Sequence, residues 1–261
     1  MNEIIKEENP LISVIIPIYN GEKFLQETLQ SVVDQTYANW ECFVVNDIKT
    51  SDESNKKQQE ICDSLNDSRI KYIQNPTKIN HVPSNRNYAI FNLIKGEYVA
   101  LLDGDDIWKK DKLEKQIPYI IKNDLYLCGT WYAEIDENHN FIKNVKTKWT
   151  TKNKIILRLF RWNPFSCPSV IINKKCFEII GGFDYKSPLA CDYEMWTRIT
   201  PLFNTEIMPE ILTEYRVLAN STSRNKNIYK EHLLIMYKYF ISMLFIHTKT
   251  LFNSIAEILS I

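Results

Sequence analysis

The sequence predicts an α/β fold: a mostly parallel sheet flanked by helices, with a helical extension at the C-terminus. Three observations predict it. From residue 11 to residue 102, short β-branched apolar runs alternate with stretches of helical periodicity. That is the pattern of parallel strands joined by right-handed crossovers. Three of the runs stop at polar residues, Tyr19-Asn20, Asn46-Asp47 and Asp103 to Asp106. Open α/β sheets bind ligands at these carboxyl ends. Residues 228–261 then carry a long apolar-rich stretch that includes HLLIMYKYFISMLFIHTKTLF.

The elements follow in order. Residues 11–18, LISVIIPI, read as a buried strand that ends at Pro17 and the turn-like Tyr19-Asn20-Gly21. Residues 22–34 place Phe24, Leu25, Leu29, Val32 and Val33 on one helical face. Trp40 to Val45 form a second buried strand, closed by Asn46-Asp47. A polar segment, residues 47–65, reads as a loop and then a helix. RIKYIQ, residues 69–74, is a short third strand. Residues 84–96 read as a helix stopped by Gly96 as its C-terminal cap. EYVALL, residues 97–102, is the fourth strand, and WKKDKLEKQIPYI, residues 108–120, a helix after it.

Composition narrows the class. A chain of 261 residues suits one large domain, or one domain with an appendage. Lys plus Arg and Asp plus Glu both number 32, which argues against a nucleic-acid binder. The six cysteines, Cys42, Cys62, Cys128, Cys167, Cys176 and Cys191, contain no C-x-x-C pair. They read as reduced thiols, and the expected compartment is cytoplasmic. The N-terminus, MNEIIKEENP, lacks the basic and apolar regions of a cleaved signal peptide. Neither G-x-G-x-x-G nor a P-loop occurs. Charge is uneven, however. No acidic residue lies between Glu137 and Glu178, a stretch with Lys143, Lys146, Lys148, Lys152, Lys154, Arg158, Arg161, Lys174 and Lys175. It reads either as a solvated face or as a surface toward an anionic acceptor or membrane. His81, His139, His232 and His247 are dispersed and read as structural or surface residues.

The fourth strand delivers three carboxylates in four positions, Asp103-Gly104-Asp105-Asp106. Like charges so close raise one another's pKa. An oxygen cluster of this kind suits a hard cation, Mg²⁺ or Mn²⁺, that bridges to substrate phosphates. Gly104 gives the backbone freedom to approach a diphosphate. The plainer alternative, a helix cap and a solvated turn, needs only one Asp.

Several separated motifs together resemble the family 2 inverting glycosyltransferases of the GT-A fold. They are SVIIPIYNGEKFLQETLQSVVDQTY, VVND, NRNYAI, KGEYVALLDGDDIWKKDKLEKQ, CPSVIINKKCFEIIGGFD, CDYEMWTRI and YRVLANSTS, spanning about Leu11 to Arg224. The resemblance implies a GT-A sheet and a nucleotide-sugar donor bound by Pro17, Tyr19, Asn20, Asp47, Arg86, Asp103 and Gly104. Tyr19 would stack on the base, Asp47 would read it, usually as uracil, and Arg86 would lie near the nucleotide. Asp103 and Asp105 would be the metal residues, for Mn²⁺ or Mg²⁺, and Asp192 the general base. The acceptor would be a glycan or lipid-linked glycan, in bacterial surface polysaccharide or lipooligosaccharide synthesis. The expected organisation is a glycosyltransferase domain over 1–225 and a helical extension over 226–261. Within the domain, 10–107 would bind donor and 108–225 acceptor. Trp162, Asn163, Pro164 and Phe165 read as acceptor groove or as core. The extension reads as a helix docked on the domain, as a homodimer contact, or as an interfacial helix at the inner face of the membrane.

Three departures bear on this reading. Asn46 replaces an Asp in the second loop, Cys191 replaces the acid that usually precedes the base, and Leu218 stands where a His is frequent. They motivate a rival, an inactive sugar-nucleotide-binding relative, against which Asp103, Asp105 and Asp192 are all retained. A second rival is a haloacid-dehalogenase-like phosphotransferase with Asp103 as nucleophile. Its D-x-D belongs on a first strand and precedes Thr or Val, whereas here it follows the fourth strand and precedes Asp106.

Overall fold

A computed structural model describes residues 9–47, 49–79, 81–219 and 227–259, with side chains through residue 243. The first half alternates β1 (Ile12–Ile18), α1 (Glu22–Val33), β2 (Trp40–Asn46), α2 (Asp52–Ser64), β3 (Ile70–Gln74), α3 (Val82–Asn92) and β4 (Tyr98–Leu101). Then come β5 (Ile107–Trp108), α4 (Lys112–Lys122), β6 (Leu127–Ile135), β7 (Phe141–Val145), α5 (Lys152–Leu159) and β8 (Ile171–Asn173). α6 (Lys175–Ile180), α7 (Cys191–Leu202), β9 (Thr205–Arg216) and α8 (Ile228–Leu259) complete the chain.

Among the described residues the strands form one sheet in the order β3-β2-β1-β4-β8-β6-β9-β5, with β7 paired to β6. β3, β2, β1 and β4 are parallel. β8 joins antiparallel to β4 and β6, and β6 and β9 are parallel. Every residue of β1 and β2 is buried, because helices cover both faces. Alternation along β1 splits the core in two. Ile12, Val14, Ile16 and Ile18 pack with α1 and α4, while Ile15 packs with α3, α7 and α8. All six cysteines are buried and unpaired.

Two local expectations are corrected. α3 ends at Asn92 with Leu93 as its cap, so Gly96 does not stop it. Gly96 instead lets the chain pass β1, since an added Cβ would lie 2.5 Å from the Leu11 carbonyl oxygen. Trp108, read as the start of a helix, instead forms with Ile107 a short strand antiparallel to β9, and the helix begins at Lys112.

The parallel register brings the polar strand ends together. Ile18 pairs with Asn46, and the Asp47 N–H donates to the Ile18 carbonyl at 3.2 Å. β4 pairs with β1 as far as Ile15. Pro17, with no N–H to donate, comes just after that pairing ends. Tyr19, Asp47 and Asp103 therefore leave the sheet at one end.

α8 docks on α7. Ile228, His232, Ile235, Tyr239 and Met243 are buried at helical spacing. The Glu231 carboxylate accepts the N–H groups of Leu189 and Ala190 at 3.0 and 2.9 Å. The other face of α8 exposes Tyr229, Leu233, Tyr237 and Phe240. No helix among the described residues is long and apolar enough to cross a membrane. The side chains of His247 and Lys249, and residues Asn220 to Ser223 of the YRVLANSTS motif, lie outside the described residues.

Candidate active site

On the first-strand side, Tyr19 is 59% exposed and Asp47 is buried. Asn20 turns the chain through a positive φ of 44°, a conformation Asn tolerates well. The Asp47 carboxylate accepts the Lys49 N–H at 3.0 Å, an Asx-type turn that fixes the loop. The structure explains Asn46. Its amide donates to Asn55 and, at 2.6 Å, to the Tyr72 hydroxyl, while its carbonyl accepts from Thr50 at 2.6 Å. An Asp could accept but not donate, so this buried network requires the amide.

The carboxylate loop follows β4. Asp103 accepts from Arg86 Nη2 at 2.7 Å. Arg86 is 3% exposed, so it lies beneath the loop and holds Asp103 in place. Asp105 has no such partner among the described residues, and burial together with Asp103 pushes its carboxyl up to about 6. Asp106 is buried, which raises its carboxyl well above the usual range. Its Oδ1 accepts the Arg216 N–H at 2.7 Å, while its Oδ2 has no hydrogen-bond partner. An added Cβ at Gly104 would make only ordinary contact with Ile18 at 3.6 Å, so packing does not demand glycine there.

Arg216 is a residue the sequence reading missed. It ends β9 with its guanidinium buried over the Phe24 ring, 4.5 Å from the centroid. Nε donates to the Asp105 carbonyl at 2.8 Å, and Nη2 pairs with Glu27 at 2.5 Å. It thus fastens the loop to α1. Its only sequence signal is its place in the YR of YRVLANSTS.

Asp105 and Asp106 are short of positive charge: burial raises both carboxyls, and Asp106 Oδ2 has no hydrogen-bond partner among the described residues. That is the environment a divalent cation relieves. Among the described residues no group of three or more His, Cys, Asp or Glu is arranged to hold a metal. Among the described residues Asp103 and Asp105 would be its ligands, and a donor diphosphate and water would complete the shell, as is usual for Mg²⁺. Leu218 brings no side-chain ligand. The residues fit the ion on those terms.

The third component is Asp192, in the first turn of α7. Ala190 occupies the cap position, so Asp192 is not the cap. The helix end favours its charge. Burial opposes this and raises the carboxyl, offset by Arg86 and by the Asn163 amide, which donates to Asp192 Oδ2 at 2.9 Å. The balance suits a base, since a raised carboxylate binds a proton more strongly. Cys191 accepts weakly from Arg86 Nη1 at 3.5 Å. Arg86 thereby touches both the carboxylate loop and the start of α7. α3 also grips the preceding turn. The Asn87 amide donates to the Phe183 carbonyl at 2.9 Å and accepts its N–H at 2.8 Å. Gly182 makes this possible, because an added Cβ would lie 2.3 Å from Asn87 Oδ1.

Pro17, Tyr19, Asn20, Asp47, Asp103, Gly104 and Asp105 thus share one end of the sheet, and Arg86 links it to Asp192. Asn75 was also missed. It is buried, and its amide donates to Ser84 and Asn85 at 3.1 and 2.8 Å, setting the start of α3 that carries Arg86. The three histidines with described side chains fill structural places. His81 caps α3, His139 bridges Glu27 and Glu214, and His232 packs against Tyr193 and Trp162.

The family model described as glycosyl transferase family 2 matches residues 13–175. Over 218 residues the chain is 32% identical to the Escherichia coli UDP-Glc:alpha-D-GlcNAc-diphosphoundecaprenol beta-1,3-glucosyltransferase WfgD, covering 83% of this chain and 81% of that one. In fold it is similar to S. aureus TarS 1-349 in complex with UDP-GlcNAc, with a TM-score of 0.68 at 21% identity, covering 86% of this chain. It is similar also to the mannosyltransferase PcManGT of Pyrobaculum calidifontis in complex with GDP-Man and Mn2+, with a TM-score of 0.68 at 17% identity, covering 90% of this chain. The chain spans 65% of each of those two solved chains.

Proposed function

The chain belongs to glycosyl transferase family 2, and from that premise we propose that it moves a sugar from a nucleotide-diphospho-sugar to a hydroxyl of a glycan or lipid-linked acceptor, with inversion. The observation that carries this is Arg86, which contacts Asp103 at 2.7 Å and Cys191, the neighbour of Asp192, at 3.5 Å. A donor-side carboxylate and a base thus flank one centre. Family membership removes the phosphotransferase alternative, and a purely binding relative has no use for the base. WfgD, as its name states, uses a UDP-sugar and a diphosphoundecaprenol-linked acceptor, which supports a role in bacterial surface polysaccharide synthesis.

Residues 10–107 form the donor half, 108–225 the acceptor half, and 226–261 the extension that buttresses the base through Glu231. Tyr19 stacks on the base and Asp47 reads it, on a loop shaped by Pro17 and Asn20. Asp103, positioned by Arg86, and Gly104 lie under the ribose and diphosphate. Asp103 and Asp105 would hold Mn²⁺ or Mg²⁺, and the ion would supply positive charge to the departing diphosphate. In the transfer, a lone pair on the acceptor oxygen forms the bond to the anomeric carbon. The acceptor proton passes to an Asp192 carboxylate oxygen. The bond from the anomeric carbon to the diphosphate oxygen breaks on the opposite side, and its electron pair leaves with the nucleoside diphosphate. Asn163 and α7 hold the carboxylate for that proton.

Calorimetric titration of the purified protein with UDP, GDP and CDP tests the donor. UDP binds tightest if Asp47 reads uracil. GDP or CDP binding more tightly contradicts that assignment and points to the altered loop at Asn46.

The exposed Tyr229, Leu233, Tyr237 and Phe240 face, together with the basic 143–175 stretch, supports a peripheral contact with anionic lipid. Flotation with phosphatidylglycerol liposomes recovers the protein at low salt and less of it at high salt. No recovery at low salt removes the membrane contact and leaves α8 as a docked helix.

A further inference from the structure

A cavity of about 370 Å³ opens between β6, the loop after β7, and α5. Trp131, Trp149 and Trp162 line it, and so do Lys146, Lys148 and Arg158. Asn163 forms part of the same wall and donates to Asp192 Oδ2 at 2.9 Å, so the cavity ends beside the base. Lys146 Nζ lies 5.5 Å from the Trp131 ring centroid, and Lys148 Nζ lies 5.5 Å from that of Trp149. Neighbouring Lys143 pairs with Glu134 at 3.2 Å. Lys146, Lys148 and Arg158 have no carboxylate partner among the described residues, and the sequence offers no acid between Glu137 and Glu178.

Resting on the glycosyltransferase reading, we propose that this groove is the acceptor subsite, and that it selects a saccharide carrying a phosphate or diphosphate group. A merely solvated basic face needs no cleft and no indole walls. Here both are present, and they suit the two parts of such a ligand. Flat indole faces pack against the C–H face of a pyranose ring. Cations lacking a carboxylate bind phosphate oxygens through charge-assisted hydrogen bonds, Arg through its fork and Lys as a point charge. The volume lies at the lower end of the ligand-pocket range of roughly 300–1,000 Å³, suited to one sugar with its phosphate. With the sugar on the indoles and the phosphate on Lys146, Lys148 and Arg158, a ring hydroxyl faces Asp192.

Tryptophan fluorescence reads the groove directly, because three of the six tryptophans line it. The full chain is titrated with hexosyl and N-acetylhexosaminyl 1-diphosphates carrying a short lipid tail, with the matching neutral octyl glycosides, with inorganic diphosphate and with phosphatidylglycerol vesicles. The glycosyl diphosphates bind at least about tenfold more tightly than the neutral glycosides, the scale of one charged contact set. They also bind more tightly than free diphosphate or vesicles. The triple variant K146A/K148A/R158A loses the preference for charge, and K146R/K148R retains it. Equal binding of charged and neutral glycosides overturns the proposal. So does a triple variant that keeps the preference, or binding of free diphosphate or vesicles as tight as that of the glycosyl diphosphate. The donor reading fails separately: wild-type protein that prefers glycosyl diphosphates here but binds no nucleoside diphosphate in calorimetry keeps this subsite and loses the donor assignment.

Discussion

Asp192→Asn lowers kcat by about 10²-fold or more, while nucleoside diphosphate affinity and melting temperature stay near wild type. Asn has the same shape and keeps an oxygen toward the Asn163 amide, but it cannot take a proton. The position is buttressed from three sides: by Asn163 at 2.9 Å, by Arg86 at the neighbouring Cys191, and by Glu231 of α8 on the N–H groups just upstream. The scaffold does not depend on the charge of Asp192, since Ala190 holds the cap position. A loss confined to kcat therefore isolates the base. Normal turnover in Asp192→Asn, measured as nucleoside diphosphate release under saturating substrates, places the base elsewhere.

Asp105→Ala abolishes transfer, a fall of about 10³-fold or more, because the charge that meets the departing diphosphate is lost. The fold survives. Asp105 is half-buried beside Asp103, and its side chain accepts no hydrogen bond from another residue among those described. Removing it relieves repulsion, so the melting temperature of metal-free protein holds or rises. Arg216 continues to fasten the loop through the Asp105 carbonyl, which the substitution leaves intact. Differential scanning calorimetry beside the transfer assay checks both halves. A variant that transfers at wild-type rate removes Asp105 from the site, and one that unfolds shows the carboxylate to be structural.

The first half of the fold was legible because fully buried parallel strands produce unbroken apolar runs, and β1 and β2 are such strands. The ends of those strands were legible for the same reason: Asp47 and Asp103 are conspicuous where burial stops. β5 and β8 were harder, since Ile107–Trp108 and Ile171–Asn173 are too short to show a period. Their pairing is set by β9 and β4, distant in sequence. The motif residues told of the site but not of its supports. Arg216, Asn75 and Asn163 act through partners 9 to 189 residues away, a relation no local pattern carries. Gly96 misled for a related reason, because its glycine answers the close approach of the Leu11 carbonyl. Asn46 looked like a weakened site, and its amide proves to be the donor that a buried network needs. The basic stretch after Glu137 left two readings open, and in the fold three of its residues, Lys146, Lys148 and Arg158, line a cavity with three indoles.

The central claim is that Asp103 and Asp105 meet a donor diphosphate with a divalent ion while Asp192 serves the acceptor. It is tested most directly by nucleoside diphosphate release from purified full-length chain, across a panel of UDP-, GDP- and CDP-sugars, with lipid-linked glycosyl diphosphate acceptors, in Mn²⁺ and in excess EDTA. The account predicts acceptor-dependent release from a UDP-sugar, lost in EDTA, with a glycosidic product of inverted configuration. Undiminished release in EDTA, or a product that retains the donor's configuration, contradicts it.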